Sequence, residues 1–252
     1  MNGLPIVRRA RPLLGTLVEI GVVRDVAAER SVPAAADRAI DAAFARVAAL
    51  QERLSRFVPS SDIGRFNAAP EGARIDIGTD ARTVLDAAAK LRDASDGAFD
   101  VTLGSGAWAW RADARGLHKL AAGVRIDLGG IAKGHAVDCA VAVLVGADIG
   151  AGWVNAGGDL RAFGALALPI DVRDEIGGGV WRFATIEDGA FATSRRVDRD
   201  GNARHASVAA PQCLWADALT KIVVASGDAT HPLLARFGAR AWLHAARSLA
   251  AA

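Results

Sequence analysis

The stretch RIDLGGIAKGHAVD at residues 125–138 decides how this chain is expected to fold. It begins with a short apolar segment that predicts a strand, and Gly129 and Gly130 then predict a turn. The apolar residues that follow, to about Val145, predict a helix. The stretch therefore indicates a strand that turns directly into a helix.

This turn has the features of a cradle for a phosphorylated ligand. Glycines let the backbone approach a bulky group, and free amides at the start of a helix favour an anion. Asp127 adds a hydrogen-bond acceptor and Lys133 adds a cation. A plain strand-to-helix connection explains the two glycines equally well, and no G-x-G-x-x-G fingerprint is present. Both interpretations stay open on these residues alone.

The composition is that of an ordinary globular protein. The chain has 252 residues, of which 52% are hydrophobic and 23% are charged, and we expect residues 1–252 to form a single domain. A formal charge of +2 without a clustered basic stripe argues against a nucleic-acid partner. Two cysteines are too few for a disulfide scaffold.

The start of the chain does not resemble a secretory signal. Residues 1–11 contain three arginines and no apolar core, and no lipid-attachment cysteine follows. The sequence has no uninterrupted apolar run of about 18 residues, the length that a membrane-spanning helix requires. We therefore expect a cytoplasmic protein without a membrane anchor.

Apolar spacing predicts early helices followed by many strands, which favours the α+β class over a regular βαβ winding. The predicted helices cover residues 31–56, a short segment ending near Asn67, and residues 79–93, 216–225 and 230–237. The predicted strands cover residues 13–23, 99–103, 152–163 with a turn at 157–158, 167–173, 181–187, a segment ending at 194, and 239–244. Asp217, Thr220 and Lys221 share one face of their helix because they are three and four residues apart.

Six segments, in this order, resemble the FAD:protein FMN transferases, also called the thiamine-biosynthesis lipoprotein ApbE family. They span most of the chain, and each is weak alone, whereas six collinear matches are specific. They are Leu14-Gly15-Thr16, the LSRF segment at 54–57 with Ser60, Ser61 and Asn67, DGAFDVT at 96–102, the stretch 125–138, NAGGD at 155–159 and ADALT at 216–220.

The resemblance implies an ApbE-like α+β fold with mixed or antiparallel sheets and flanking helices. It also implies a function: members bind FAD, use Mg²⁺ at the pyrophosphate, transfer FMN to a threonine hydroxyl of an acceptor protein and release AMP, while some hydrolyse FAD. A divalent cation that neutralises phosphate oxygens suits this chemistry.

The resemblance carries roles onto individual residues of this chain. The Gly130 carbonyl and the Asp217 carboxylate would be metal ligands, with Thr220 as a further oxygen donor. His205 matches a family histidine and would act as a general base, and Asp217 and Lys221 would lie at the reacting centre. The residues expected to contact FAD are Leu14, Phe57, Ala98, Phe99, Asp100, Asp127 and Lys133.

Two departures from the family pattern bear on the metal. Lys221 stands where the family has a threonine that helps to hold the metal, so its ammonium would repel the ion or replace it. The family segment H-I-x-D-P-x-T-G-x-P is also shortened after His205. The alternative is therefore an FAD-binding or FAD-storing homologue without metal-dependent chemistry, and an unrelated small-molecule enzyme on the same fold is a third possibility.

Overall fold

The structure is a computed structural model that describes residues 6–24, 32–173, 179–197 and 203–244. Its helices are α1 Val32–Leu54, α2 Asp62–Ala68, α3 Thr79–Ala94, α4 Ala132–Gly146, α5 Cys213–Ser226 and α6 Leu233–Arg236. The predicted start of the first helix at Ser31 and most of the glycine run 177–179 lie outside the described residues. The single-domain expectation stays a prediction.

Antiparallel strands form three sheets, and the predicted α+β class with flanking helices is confirmed. The large sheet has the order β1-β2-β6-β7-β10-β11-β12, and the smaller ones have the orders β3-β5-β4 and β8-β9. The strands are β1 Ile6–Leu13, β2 Thr16–Val23, β3 Arg74–Ile75, β4 Trp110–Asp113, β5 Gly116–Lys119, β6 Gly152–Ala156, β7 Asp159–Phe163, β8 Leu168–Arg173, β9 Val180–Ile186, β10 Ala190–Val197, β11 Ala203–Ala210 and β12 Arg240–His244.

The two faces of the large sheet bury different cores. The helices cover one face, where the main core includes Val154, Phe163 and Val208. The β8-β9 hairpin packs with the other face, where Phe191 and other apolar side chains form a second cluster. Side chains of a strand alternate between faces, so each sheet residue is assigned to the helix side or the hairpin side. Within the described residues, no helix is long and apolar enough to cross a membrane.

Two predicted strands are wrong. Residues 125–128 form no strand, because the side-chain amide of Asn67 bonds the backbone N–H of Ile126 at 2.7 Å and its carbonyl at 2.9 Å. Residues 99–103 form turns instead, since the Asp100 carboxylate accepts bonds from the backbone N–H groups of Thr102 and Gly104. In both segments a side chain replaces the strand partner that the apolar pattern predicts.

Three element boundaries also differ from the sequence prediction. The segment at 13–23 is the second half of a β1-β2 hairpin whose turn holds Leu14 at φ 56° and Gly15 at φ 71°. Helix α3 has Gly78 before it, has no side-chain cap, and ends at Ala94, one residue beyond the predicted range 79–93. Strand β10 continues past residue 194 and pairs with β11, a strand that the apolar pattern does not predict.

Helices α4 and α5 lie in close contact at Gly134. A Cβ atom built there would lie 2.3 Å from the carbonyl oxygen of Cys213 and 2.8 Å from the Cα atom of Leu214. These neighbours are backbone atoms of α5, so they cannot move without moving the helix. The absence of a side chain at Gly134 therefore sets the distance between the two helices.

We expect Gly134→Ala to lower the free energy of unfolding by about 2 kcal/mol, because the added methyl group pushes α5 away from α4. Urea denaturation measures the change. Gly146→Ala on the same helix is the matched control, since nothing lies within 4 Å of its added Cβ. That control should be neutral or stabilising by up to about 1 kcal/mol. Equal effects of the two substitutions would contradict the close approach.

Candidate active site

The ammonium group of Lys221 lies in a cage of oxygen atoms. Its Nζ is 2.5 Å from Ser194 Oγ, 2.8 Å from Asp217 Oδ1, 3.0 Å from Thr220 Oγ1 and 3.3 Å from the Asp217 carbonyl. Asp217 and Thr220 are fully buried, and the side chain of Lys221 remains 31% exposed. The helical spacing of the three α5 residues therefore builds a site that opens towards solvent.

The glycine turn before α4 lies against this cage. A Cβ atom at Gly130 would be 3.3 Å from Cε of Lys221, and the backbone N–H of Gly134 donates to Asp217 Oδ2 at 3.1 Å. Both oxygens of the Asp217 carboxylate are thus engaged, one by Lys221 and the other by α4. The structure thus brings together residues as far apart in the chain as Gly134 and Asp217, which are separated by 83 positions.

A second lysine–aspartate pair stands beside the first. Lys133 Nζ donates to Asp159 Oδ2, and only 2% of the Asp159 side chain is exposed. Burial and the charge of Asp217 raise the pKa of Asp159 to about 6, against the attraction of Lys133 and Lys221. Burial lowers the pKa of Lys133, but the charges of Asp217 and Asp159 outweigh it and hold that pKa above its ordinary value. The charges of each pair therefore influence the ionisation of the other pair.

The raised pKa of Asp159 predicts a pH dependence of stability. Between its ordinary value of 3.8 and about 6, the folded state binds more protons than the unfolded state. The contribution of Asp159 to stability therefore falls as pH rises through this window and is constant above it. In urea denaturation, the wild type should lose stability relative to Asp159→Asn between pH 4 and pH 6.

Asp86→Asn, a change at an exposed position of α3, is the control for this measurement. Its stability relative to the wild type should vary much less over the same pH range. A wild type that gains stability over Asp159→Asn as pH rises would mean that Lys133 holds the carboxylate ionised, contrary to the prediction.

Asp138 fixes the start of α5. Its carboxylate accepts bonds from the backbone N–H groups of Cys213 at 2.9 Å and Leu214 at 2.8 Å, and it also pairs with Arg161 at 2.8 Å. Gln212, the residue before the helix, provides no side-chain cap. An aspartate of α4 therefore performs the capping role and orients the helix that carries Asp217 and Lys221.

Asp127 forms a second edge of the site. Its Oδ1 accepts from the backbone N–H of Gly129 at 2.8 Å, and its Oδ2 pairs with Arg56 Nε at 2.9 Å. The Arg56 guanidinium lies 4.2 Å from the ring centroid of Phe57, whose side chain is 77% exposed. One arginine thus connects the glycine turn with an exposed aromatic ring.

The other residues expected to contact FAD differ in their exposure and in the hydrogen bonds that they already make. Leu14 is half-buried, and its backbone N–H donates to the Gln51 side chain. Ala98 is exposed, whereas Phe99 packs in the main core. The Asp100 carboxylate is engaged by its own turn, including Thr102 Oγ1 at 2.7 Å from Oδ1. Their contacts with FAD stay a prediction.

His205 lies away from this cluster. Ser194 contacts Lys221, so its side chain lies on the helix side of the sheet. Ala206, the residue after His205, pairs with Ser194 and lies on the same side. Alternation places His205 on the hairpin side, opposite His244 of β12. His244 in turn packs 5.2 Å from Phe183 between ring centroids. The structure does not bring His205 to the lysine–aspartate pairs, so we assign it no part in the chemistry.

The expected metal ligands meet the requirement for hard oxygen donors but not the requirement for an open position. Asp217 and Thr220 offer oxygens that Mg²⁺ prefers, and Gly130 lies against the side chain of Lys221. The Lys221 ammonium already binds one carboxylate oxygen of Asp217 and the hydroxyl of Thr220. A divalent cation there would face a fixed positive charge, so these residues as arranged do not fit Mg²⁺.

A separate cluster of metal-type side chains lies between α1, α3 and α4. Asp80, His135 and Cys139 bring ligand atoms within 4.8 Å of one another. Arg46 of α1 donates to both Asp80 oxygens, at 2.5 and 2.9 Å, and this hydrogen bonding lowers the pKa of Asp80. A guanidinium thus already neutralises the carboxylate, and we interpret the cluster as polar packing between helices.

Sequence reasoning missed four residues that build the site: Asp138, Asp159, Ser194 and Arg56. Asp138 and Asp159 each end a quoted motif, and an acidic residue after a Gly-Gly turn was a usable signal. Ser194 and Arg56 carry no signal in the sequence alone, because their roles depend on the pairing of distant elements.

Comparisons with known proteins agree with this architecture. The model of the ApbE family matches residues 14–121 and 112–203, which together exceed half of the chain. No curated protein matches the sequence significantly.

Several solved structures share the fold. The flavin transferase ApbE from Vibrio cholerae is 20% identical with a TM-score of 0.75, and the match covers 88% of this chain and 87% of that one. The apo flavinyl transferase ApbE of Pseudomonas stutzeri is 20% identical with a TM-score of 0.74, covering 88% and 85%. The ApbE protein of Thermotoga maritima is 21% identical with a TM-score of 0.75, covering 95% and 94%. The chain belongs to the ApbE family.

Proposed function

We propose that this chain cleaves FAD, transfers FMN to a threonine of an acceptor protein and releases AMP. Membership of the ApbE family and the flavin transferases of the same fold support flavin transfer. The observation that carries the proposal is the pair of ammonium groups, Lys133 and Lys221, beside one glycine turn. Each is fixed by a buried carboxylate, and together they suit a diphosphate.

The reaction exchanges one phosphoanhydride bond for one phosphoester bond. The threonine oxygen of the acceptor forms a bond to the phosphorus of the FMN half, and the bond from that phosphorus to the bridging oxygen breaks. AMP leaves with the bridging oxygen and its electron pair, while the hydroxyl proton is released to solvent water. Negative charge thus develops on the leaving phosphate as the anhydride opens.

The residues of this chain act mainly by binding and electrostatic stabilisation. Lys133 and Lys221 stabilise the charge that develops on the phosphate oxygens, because both ammonium groups are held in place before the reaction. The exposed ring of Phe57 offers a stacking surface for a flavin or adenine ring, and Asp127 offers an acceptor for its N–H groups. We leave magnesium out of the reaction because Lys221 occupies the ligands expected for it.

The experiment follows FAD and its products by chromatography, with and without a mixture of threonine-containing peptides. We expect AMP to appear together with peptides that gain one FMN group by mass spectrometry. AMP with free FMN and no modified peptide would indicate hydrolysis instead of transfer. Retention of intact FAD on the protein, with no AMP formed, would overturn the transferase proposal.

A second candidate, an FAD-binding or FAD-storing protein, is favoured by one observation. Lys221 and Asp217 neutralise each other within the cage, so the site lacks the double charge that a divalent cation would bring to the leaving phosphate. The same chromatography separates the candidates, because a storage protein returns FAD unchanged after denaturation.

A further inference from the structure

We propose that the ammonium group of Lys221 permanently takes the position of a divalent cation, so this chain binds the diphosphate of FAD without metal. The FAD part of this inference rests on the proposed function. The ammonium cage itself does not, since it is a property of the protein alone. The identity of one residue, Lys221, thus determines whether the protein needs a metal ion to bind the diphosphate.

The surroundings of the ammonium resemble the oxygen shell of a hard cation. Four oxygen atoms lie 2.5–3.3 Å from Nζ, and they include a carboxylate, two hydroxyls and a backbone carbonyl. Carboxylate, hydroxyl and carbonyl oxygens are the donors that hard divalent cations take in proteins. An ammonium needs only three hydrogen-bond acceptors, so this shell is complete for Lys221.

The lysine already engages the oxygen donors that a metal ion in the cage would need. The side chain of Lys221 runs along Gly130, where even an added Cβ would lie 3.3 Å from Cε and 3.4 Å from Cγ. The remaining oxygen of Asp217 accepts from the Gly134 N–H at 3.1 Å. A divalent ion would therefore have to displace the ammonium, which cannot diffuse away, and would be repelled by it.

The lysine remains accessible to an anion. Its side chain is 31% exposed, as is that of Lys133, while their aspartate partners are at most 2% exposed. Lys221 can thus exchange one hydroxyl or carbonyl partner for a phosphate oxygen while keeping its buried carboxylate, and Lys133 can reach a phosphate oxygen from its own exposed side. Charge-assisted hydrogen bonds of this kind do not require a bridging metal.

The decisive variant is Lys221→Thr, which removes the ammonium and places a hydroxyl in the emptied cage. Thermal unfolding is measured in MgCl₂ and in EDTA, with no flavin present. We expect Mg²⁺ to raise the melting temperature of Lys221→Thr but not that of the wild type. Lys90→Thr, at an exposed position of α3, is the matched control and should respond as the wild type does.

Either of two results overturns the proposal. One is a wild type whose melting temperature rises in MgCl₂ by as much as that of Lys221→Thr. The other is a folded Lys221→Thr that ignores MgCl₂, because the oxygen cage would then not be a cation site. Since neither readout uses FAD, the cage inference can succeed even if the proposed flavin transfer fails.

Calorimetric titration of FAD into the wild type tests the inference should Lys221→Thr not fold. We expect the same Kd in MgCl₂ and in EDTA, and a Kd at least tenfold weaker in EDTA would overturn metal independence. Lys221→Met should weaken FAD binding by about ten- to a hundredfold, with no recovery in MgCl₂. Unchanged affinity in a folded Lys221→Met would equally overturn the role of the ammonium.

Discussion

Lys133→Met is expected to slow the release of AMP from FAD by about two to three orders of magnitude. The substitution removes a preorganised ammonium group from the side of the glycine turn where the diphosphate is proposed to bind. Methionine keeps most of the length and apolar character of lysine, so the change isolates the charge. Initial rates of AMP formation at saturating FAD measure the effect.

The substitution also leaves Asp159 buried without its partner, and a loss of stability could imitate a loss of catalysis. The double variant Lys133→Met/Asp159→Asn removes this uncompensated carboxylate. It should recover thermal stability but not the rate of AMP release. Recovery of both would mean that Lys133 serves only as a counter-ion for Asp159. Lys90→Met controls for the loss of a lysine at an exposed position.

The sequence predicts the elements of the site better than their partners. Helix α4 follows from a long apolar segment after two glycines, and its predicted end near Val145 agrees with the end at Gly146. The face shared by Asp217, Thr220 and Lys221 follows from helical spacing alone. These features depend on neighbours in the chain, which is why a single sequence suffices for them.

The contacts that complete the site depend on pairing between distant strands and helices. Asp159 meets Lys133 because β7 packs against α4, and Ser194 meets Lys221 because β10 packs against α5. No periodicity within either strand encodes these neighbours. His205 shows the opposite outcome, because its motif match predicts a place in the site that the structure does not give it. The register between β10 and β11 determines which face of the sheet His205 occupies, and the motif carries no information on that register.

The two lysine–aspartate pairs explain how four buried or half-buried charges are tolerated at one site. Isolated charges would be costly to bury, but each ammonium here lies on a carboxylate, and the four charges sum to zero. Burial and the nearby charge of Asp217 raise the pKa of Asp159, so this carboxylate is the least favourable charge of the four. A bound diphosphate would bring further negative charge to ammonium groups that each keep one carboxylate partner.

Asp138→Ala is expected to lower the free energy of unfolding by about 3 kcal/mol, since it removes a helix cap and one partner of a half-buried ion pair. The backbone N–H groups of Cys213 and Leu214 lose their acceptor, and Arg161 loses its carboxylate. Helix α5 carries Asp217 and Lys221, so the affinity for FAD should fall as well. Urea denaturation and calorimetric titration measure the two effects.

Two further variants separate the cap from the ion pair. Arg161→Met removes the ion pair but leaves both backbone hydrogen bonds to Asp138. It should therefore lower the free energy of unfolding by less than half as much as Asp138→Ala and leave the affinity for FAD nearly unchanged. Asp138→Asn keeps an oxygen acceptor for one N–H group, so its free energy of unfolding should lie between those of Arg161→Met and Asp138→Ala. If Arg161→Met were as damaging as Asp138→Ala, the ion pair between α4 and β7 would account for the whole effect of Asp138→Ala. The capping of α5 from α4 would then contribute nothing to the position of the Lys221 cage.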